Sequence, residues 1–279
     1  MVENEIEGFQ QILFQLPKQS NVPVIGFTGP PGAGKSTLIN RLLQRLRAKE
    51  KKVAVVAVDP TSPFNYGSLL GDRLRMSEHF TEDGIFIRSL ATRGSLGGLS
   101  EKILEVTDVL KAADFSMIIV ETVGVGQSEV EIAGLADTTV VVFVPESGDE
   151  IQTLKSGIME IADIFVVNKS DREGADTLVN NLRRLVHRAS STGGMIPVIK
   201  TSGSEDTGCN ELLDAIFEHG QSASSNEKRL HLLTEKAFRL IQQSRMKSID
   251  KQQLRADLLK ASDLPTFNLY KFAVSYKLP

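Results

Sequence analysis

Gly29-Pro30-Pro31-Gly32-Ala33-Gly34-Lys35-Ser36 reads G-x-x-x-x-G-K-S, a complete phosphate-binding loop. An apolar run, Val22-Pro23-Val24-Ile25-Gly26-Phe27-Thr28, precedes it, and a helix-like pattern, Thr37-Leu38-Ile39-Asn40-Arg41-Leu42-Leu43, follows. Strand, loop and helix in that order are the context the motif requires. The glycines let the backbone wrap an anion without Cβ clashes. Successive N–H groups and the helix N-terminus then face the phosphate. Gly29, Pro30, Pro31, Gly32, Ala33, Gly34, Lys35, Ser36 and Thr37 are therefore expected to bind nucleotide. Lys35 is expected at the β- and γ-phosphates and the Ser36 hydroxyl on Mg²⁺.

The loop says nucleotide but not which base. Asp163-Ile164-Phe165-Val166-Val167-Asn168-Lys169-Ser170-Asp171 is an apolar strand ending in N-K-x-D. A carboxylate that accepts from two donors on one edge suits guanine, whose N1–H and N2–H₂ lie side by side. Adenine offers no such pair, so Asp171 selects GTP in this reading. Asn168 and the Lys169 stem brace the loop and cover the base. Thr201-Ser202-Gly203 follows the last expected strand, where backbone N–H groups would meet the guanine O6.

The 279 residues are 41% hydrophobic and 24% charged, enough for one large α/β domain plus an appendage. A net charge of −3 gives no reason to expect a nucleic-acid partner. The single cysteine, Cys209, excludes an intrachain disulfide and fits a reducing cytoplasm. The first residues are acidic where a signal peptide is basic, and no apolar run approaches the roughly 20 residues that span a bilayer. The expectation is a soluble, cytoplasmic protein with no membrane insertion. Residues 221–279 are different, with 11 Lys and Arg against 5 Asp and Glu. Such a tail is a partner-facing arm, an arm that docks on the body, or a set of solvated helix faces.

Near-continuous apolar runs recur at Val22–Phe27, Val53–Val58, Gly84–Ile87, Ser116–Val120, Thr138–Val144, Ile164–Val167 and Ile196–Ile199. Runs without alternation suit strands buried on both faces of a parallel sheet. Helical stretches at Ser36–Glu50, Ser100–Ala113, Glu150–Ile161 and Thr177–Ser190 separate several of them. The fold class expected is α/β, a doubly wound, mostly parallel sheet of the P-loop NTPase type flanked by helices. Residues 1–20 are expected to hold a short amphipathic helix with Ile6, Phe9, Ile12, Leu13 and Leu16 packed on a core. Residues 21–220 form the nucleotide domain. Residues 221–279 form a C-terminal helical arm, with Leu230, Leu233, Ala237, Leu240 and Ile241 on one face. That face packs back on the domain or against a second copy.

Ligands of such sheets bind at the carboxyl ends of the strands. Asp59 and Glu121 end two of the runs, and Asp72 lies in the intervening Gly67–Arg73 stretch. Magnesium takes oxygen ligands and keeps several waters, so Ser36, Asp59, Asp72 and Glu121 are assigned to the metal shell. Gly124 is placed with its N–H on the γ-phosphate, so hydrolysis would release the loop after it. Gln127 is a candidate for orienting the attacking water. Lys155 is either a solvated helix lysine or a cation that reaches the site when a partner docks.

Four further stretches share a pattern: Val58–Ser62, Gly67–Met76, Thr92–Leu99 and Glu121–Glu129. With the phosphate loop and Asn168–Asp171 they resemble the MeaB/ArgK family of P-loop GTPases over about residues 20–217. That resemblance implies a homodimeric GTPase, using GTP and Mg²⁺. It also implies a partner, an adenosylcobalamin-dependent acyl-CoA mutase of the methylmalonyl-CoA type, whose cofactor loading the GTPase gates and which it protects. Members are also described as lysine/arginine/ornithine transport ATPases or kinases, which leaves a kinase or ATPase linked to basic amino-acid transport as the alternative. In that family the segment matching Glu146–Ile158 is an extra switch, which bears on Lys155. The chain departs from the family pattern at its ends. Residues 1–20 are shorter than the family's N-terminal extension, and 221–279 match its dimerisation arm loosely. The related nickel-inserting GTPases carry Cys and His for their cargo. Here Cys209, His79, His187, His219 and His231 are scattered, so metal delivery is not expected.

Overall fold

Runs rich in valine and isoleucine form one seven-stranded sheet in the computed structural model. The structure describes residues 1–17, 21–59, 76–91, 102–122, 128–146, 161–189, 196–222, 226–246, 249–264 and 266–276. The strands are β1 (Val24–Thr28), β2 (Val53–Asp59), β3 (Ile85–Ala91), β4 (Met117–Glu121), β5 (Thr138–Phe143), β6 (Ile164–Val167) and β7 (Val198–Lys200). Their order is β3-β2-β4-β1-β5-β6-β7, and every neighbouring pair is parallel. β-branched side chains, stiff at χ1, suit a pleated surface packed on both sides. Only β6 has the expected bounds; β2, β4 and β5 differ by a single residue at one end or both, and β1, β3 and β7 by more. β3 continues through polar Arg88 and Ser89 because β2 pairs with it as far as Asp59 and Ala91. β7 starts only after Pro197, which has no N–H for a ladder, although its carbonyl accepts from Phe165 N at 2.9 Å.

The period-two alternation of each strand divides the core between two faces. Ile25, Phe27, Val53, Val55, Ile119, Val142 and Val166 share one cluster with α2 (Lys35–Ala48) and α6 (Cys209–Ser222). On the other face α3 (Ile103–Ala112) and α4 (Ser128–Ala133) bring Ile103, Leu104 and Ile132 to Val24, Ala54, Val56 and Val120. There α5 (Ala175–Ala189) covers Val141, Phe143, Phe165 and Val167 with Leu178, Val179, Leu182 and Val186. Helices on both faces make the sheet doubly wound, the α/β architecture expected. Gly26 allows α4 to come close: a Cβ there would stand 2.6 Å from Ile132 Cγ1. The helix expected over 150–161 falls almost wholly outside the described residues.

α6 is absent from the expected helices. It runs through Gly220, Gln221 and Ser222, although the small, polar stretch 219–226 reads in sequence as a linker. At the other end of the chain the expected amphipathic stripe is not a core element. Residues Val2–Asn4 form a 3₁₀ turn and α1 spans only Phe9–Phe14, with no buried residue. Ile6 is exposed, while Phe9, Ile12, Leu13 and Leu16 are half-buried. What ties this segment down is Val2, which is buried, with Glu3 paired to Arg88 and Glu5 to Lys102 at 2.8 Å.

The chain divides into two compact units, Met1–Ser225 and Asn226–Pro279. The second contains α7 (Asn226–Met246), α8 (Lys251–Ser262) and α9 (Leu269–Ser275). Side chains cap the latter two helices: Asp250 accepts from Gln252 N at 2.8 Å and Asn268 from Lys271 N at 3.0 Å. Tyr276 Oη donates to Asp257 at 3.1 Å, joining the end of α9 to α8. On α7 the side chains of Leu230, Leu233, Phe238 and Ile241 are each more than half exposed.

The α2 interface with the sheet is part of the buried core, and Leu42 within it is 1% exposed. Leu42→Ala is expected to cost about 2–5 kcal/mol in urea unfolding followed by circular dichroism. A loss below about 1 kcal/mol would contradict the packing described.

Candidate nucleotide site

β1 ends at Thr28, and the chain then turns through Gly29 into the loop that opens α2. Gly29 has φ +131°, and a Cβ on it would collide with the Val142 carbonyl, so the loop lies hard against β5. Gly34 has φ +87° as the N-cap of α2, and a Cβ there would collide with the Asn168 amide. Gly32, also left-handed, has open space around it. Lys35 is buried, and its Nζ donates to Gly29 O at 2.7 Å and Pro30 O at 3.1 Å. The ammonium is thus curled over the mouth of its own loop, at the positive end of a 14-residue helix. Together these place fixed amides and one cation where a phosphate chain would lie.

Ser36 follows in the first turn of α2, and its Oγ donates to Glu121 Oε1 at 2.7 Å. Both residues are buried. Glu121 is the last residue of β4, in register with Phe27 of β1 and Ala57 of β2. A buried hydroxyl beside a buried carboxylate is an all-oxygen donor pair, which fits Mg²⁺. Asp59 closes β2 two residues beyond Ala57, and its side chain lies outside the described part of the structure. Asp72, Gly124, Gln127 and Lys155 also lie outside the described residues.

The second half of the site hangs from β6. Asn168, 2% exposed, comes directly after Val167. Its Nδ2 donates to Ala33 O at 2.7 Å, inside the phosphate loop. Its Oδ1 accepts from Thr201 Oγ1 and from Gly203 N, each at 3.1 Å. Lys169 takes a left-handed conformation at φ +55°, which turns the chain back so that Ser170 N reaches Thr201 O at 3.0 Å. Asp171 Oδ1 accepts from Ser202 Oγ at 2.7 Å. That hydrogen bond, and a backbone one, hold the exposed Asp171 carboxyl below the usual aspartate range. Asp171 therefore stands ionised at neutral pH as an acceptor at the site's edge.

The structure thus brings Gly29–Thr37, Glu121, Asn168–Asp171 and Thr201–Gly203 to one end of the sheet, the carboxyl ends of β1, β4, β6 and β7. Two residues absent from the sequence expectations reach the same place. Arg41 and Arg45 of α2 bond to residues 203–206. A separate cavity of about 320 Å³, lined by Phe80, Ile85, Phe86, Ile87, Arg88 and Ser89, shares no residue with the site.

Residues 1–257 match the family model described as methylmalonyl Co-A mutase-associated GTPase MeaB. A putative GTPase of Pyrococcus abyssi is 48% identical over 238 residues, covering 82% of this chain and 74% of that protein. The mitochondrial methylmalonic aciduria type A homolog of Mus musculus is 37% identical over 211 residues, covering 72% of this chain and 50% of that one. Among solved structures, that of an LAO/AO transport system kinase aligns with a TM-score of 0.65 at 26% identity, over 95% of this chain and 84% of its own. With the phosphate loop, the Asn168–Asp171 motif and the parallel sheet already in place, the chain belongs to the methylmalonyl Co-A mutase-associated GTPase MeaB family and is a P-loop GTPase.

Proposed function

We propose that this GTPase binds GTP with Mg²⁺ across the two halves of the site and couples hydrolysis to the care of an adenosylcobalamin-dependent acyl-CoA mutase. In this reading it gates cofactor loading and protects the mutase. The observation that carries the nucleotide half is Asn168, whose one amide bonds to the phosphate loop and to the 201–203 loop. Lys35 and the loop amides hold the β- and γ-phosphates, and Ser36, Asp59, Asp72 and Glu121 hold the metal, directly or through its waters. When bound, Mg²⁺ neutralises charge that develops between the β- and γ-phosphates. Water attacks the γ-phosphorus, the bond from that phosphorus to the β–γ bridging oxygen breaks, GDP leaves with that electron pair, and the water's proton passes to the released phosphate. Gly124 senses the γ-phosphate, Gln127 orients the water, and Lys155 is a cation delivered when the partner docks. Asp171 accepts from guanine N1–H and N2–H₂, and Lys169 covers the base.

The mutase half rests on the family description and on the similarity to the mouse methylmalonic aciduria type A homolog. A homodimer is proposed through residues 221–279, supported by the exposed Leu230, Leu233 and Ile241 on one helix. No described helix is long and apolar enough to cross a membrane, and Cys209 is a free thiol. The proposed setting is the cytoplasm. The alternative, a transport-linked kinase, is kept in view by the likeness to the 26% identical LAO/AO transport system kinase. A kinase must present an acceptor to the γ-phosphate, and Asp171 works against ATP.

Calorimetry with Mg²⁺ is expected to show GDP preferred over ADP by at least about a hundredfold, with Asp171→Ala abolishing the preference. Phosphate release from GTP is expected without any acceptor. Equal ADP binding, or release only with an added acceptor, would favour the kinase. Adding the chain with GTP to a purified adenosylcobalamin-dependent methylmalonyl-CoA mutase is expected to slow its inactivation during turnover at least about twofold, a change in barrier well under one kcal/mol. An unchanged decay would remove the protective role. Sedimentation equilibrium is expected to give a dimer that Leu233→Asp with Ile241→Asp converts to monomer, and a monomeric parent chain would contradict the proposed assembly.

A further inference from the structure

Arg41 and Arg45 stand one turn apart on α2, four residues being the spacing that puts side chains on one helix face. Both turn toward the loop that follows β7. Arg41 Nε donates to Gly203 O at 3.0 Å, and its NH2 to Ser204 O at 3.4 Å. Arg45 NH1 pairs with Asp206 Oδ1 at 2.8 Å, and its Nε donates to Asn210 Oδ1 at 2.6 Å. The two are themselves linked, since Arg45 NH1 also donates to Arg41 O at 3.1 Å. Asp206 takes a left-handed conformation at φ +59°, which aims its carboxylate from the loop tip. The Arg45 hydrogen bond holds that carboxyl below its usual range, so the pair is charged at neutral pH.

The loop also lies directly on α2. A Cβ on Gly203 would stand 3.1 Å from Thr37 Cγ2, closer than most packed side chains come. Between Ser202 and Thr207 it closes on itself through two backbone hydrogen bonds of 3.1 Å. It is therefore a small rigid tab whose outer edge is held by two guanidinium groups and whose inner edge holds Asn168 and Asp171. These ion pairs are too exposed to matter much to global stability, with side-chain accessibilities of 18–44%. Their effect falls on where the tab sits.

We propose that Arg41 and Arg45 are positioning residues for guanine selection, pinning the Ser202–Asp206 tab to α2. This rests on the guanine reading of Asp171. The same helix carries Lys35 and Ser36 at its N-terminus, so α2 measures the distance between the phosphates and the base edge. When the clamp is cut, the tab occupies its competent position only part of the time, and apparent guanine affinity falls by that fraction. Adenine nucleotides, which do not use Asp171, do not feel the change.

The test uses the full chain with Mg²⁺ and fluorescent GDP and ADP analogues, comparing the parent protein with Arg41→Gln, Arg45→Gln, Arg41→Lys and Asp171→Ala. Arg41→Gln and Arg45→Gln are expected to weaken GDP about tenfold, through faster dissociation, while ADP changes less than about twofold. Arg41→Lys, a point charge without the fork, restores part of the loss. Equal losses for GDP and ADP, with a lowered melting temperature, would reduce the arginines to structural supports and overturn the proposal. Unchanged GDP binding overturns it too. If Asp171→Ala abolishes guanine preference while the arginine variants keep it, only the clamp fails. If the parent chain shows no guanine preference, the guanine reading fails and takes the clamp with it.

Discussion

One buried amide joins three parts of the chain that are far apart in sequence. Asn168 donates to Ala33 in the phosphate loop and accepts from Thr201 and Gly203 beyond β7. At 2% exposure none of these bonds is exchanged for water, so each group left without its partner would bear a full desolvation cost. The amide also requires Gly34, because any Cβ there would occupy its place. The loop before α2 and the loop after β7 are consequently set at one fixed separation, which in the proposed reading is that of phosphates and base. That is the preorganisation which lowers the entropic cost of binding.

The sheet makes this junction possible. A parallel sheet sends every strand's carboxyl end the same way, so the loops after β1, β4, β6 and β7 converge whatever their order in sequence. β1 is central, with β4 on one side and β5 on the other. From it the chain crosses to β2, beyond β4, and leaves its phosphate loop at the switch point between the two directions of winding. Glu121 reaches Ser36 from the neighbouring strand, and Asn168 reaches Ala33 from two strands away on the other side. The edge proposed for the metal and the edge proposed for the base thus flank one loop.

How much of this is legible in sequence depends on how local the cause is. The strands show themselves because burial on both faces leaves unbroken runs such as Val53–Val58. The phosphate loop shows itself because its glycines answer to backbone geometry within eight residues. α6 is harder. Its buried Cys209, Leu212, Leu213 and Ile216 have helical spacing, yet the turn glycine before it and Gly220-Gln221-Ser222 within it read as loop chemistry. Packing on α2 and the sheet overrides those propensities. The N-terminal stripe errs the other way: its period is helical, but charged pairs and Val2 rather than the stripe anchor it. Arg41 and Arg45 carry no local signal at all, because Arg41 meets Gly203 across 162 positions of chain. The switch roles proposed for Gly124, Gln127 and Lys155 rest on motif and resemblance alone.

A crystal structure of the chain with GDP and Mg²⁺ tests the joining of the two half-sites. The expected result is one nucleotide across both, with phosphates within hydrogen-bonding distance of Lys35 Nζ and the loop amides. Ser36 Oγ would lie on the metal, and both Asp171 oxygens on guanine N1 and N2. Phosphates seated in the loop with the base turned away from Asp171, or the 201–206 loop displaced from Asn168, would contradict it.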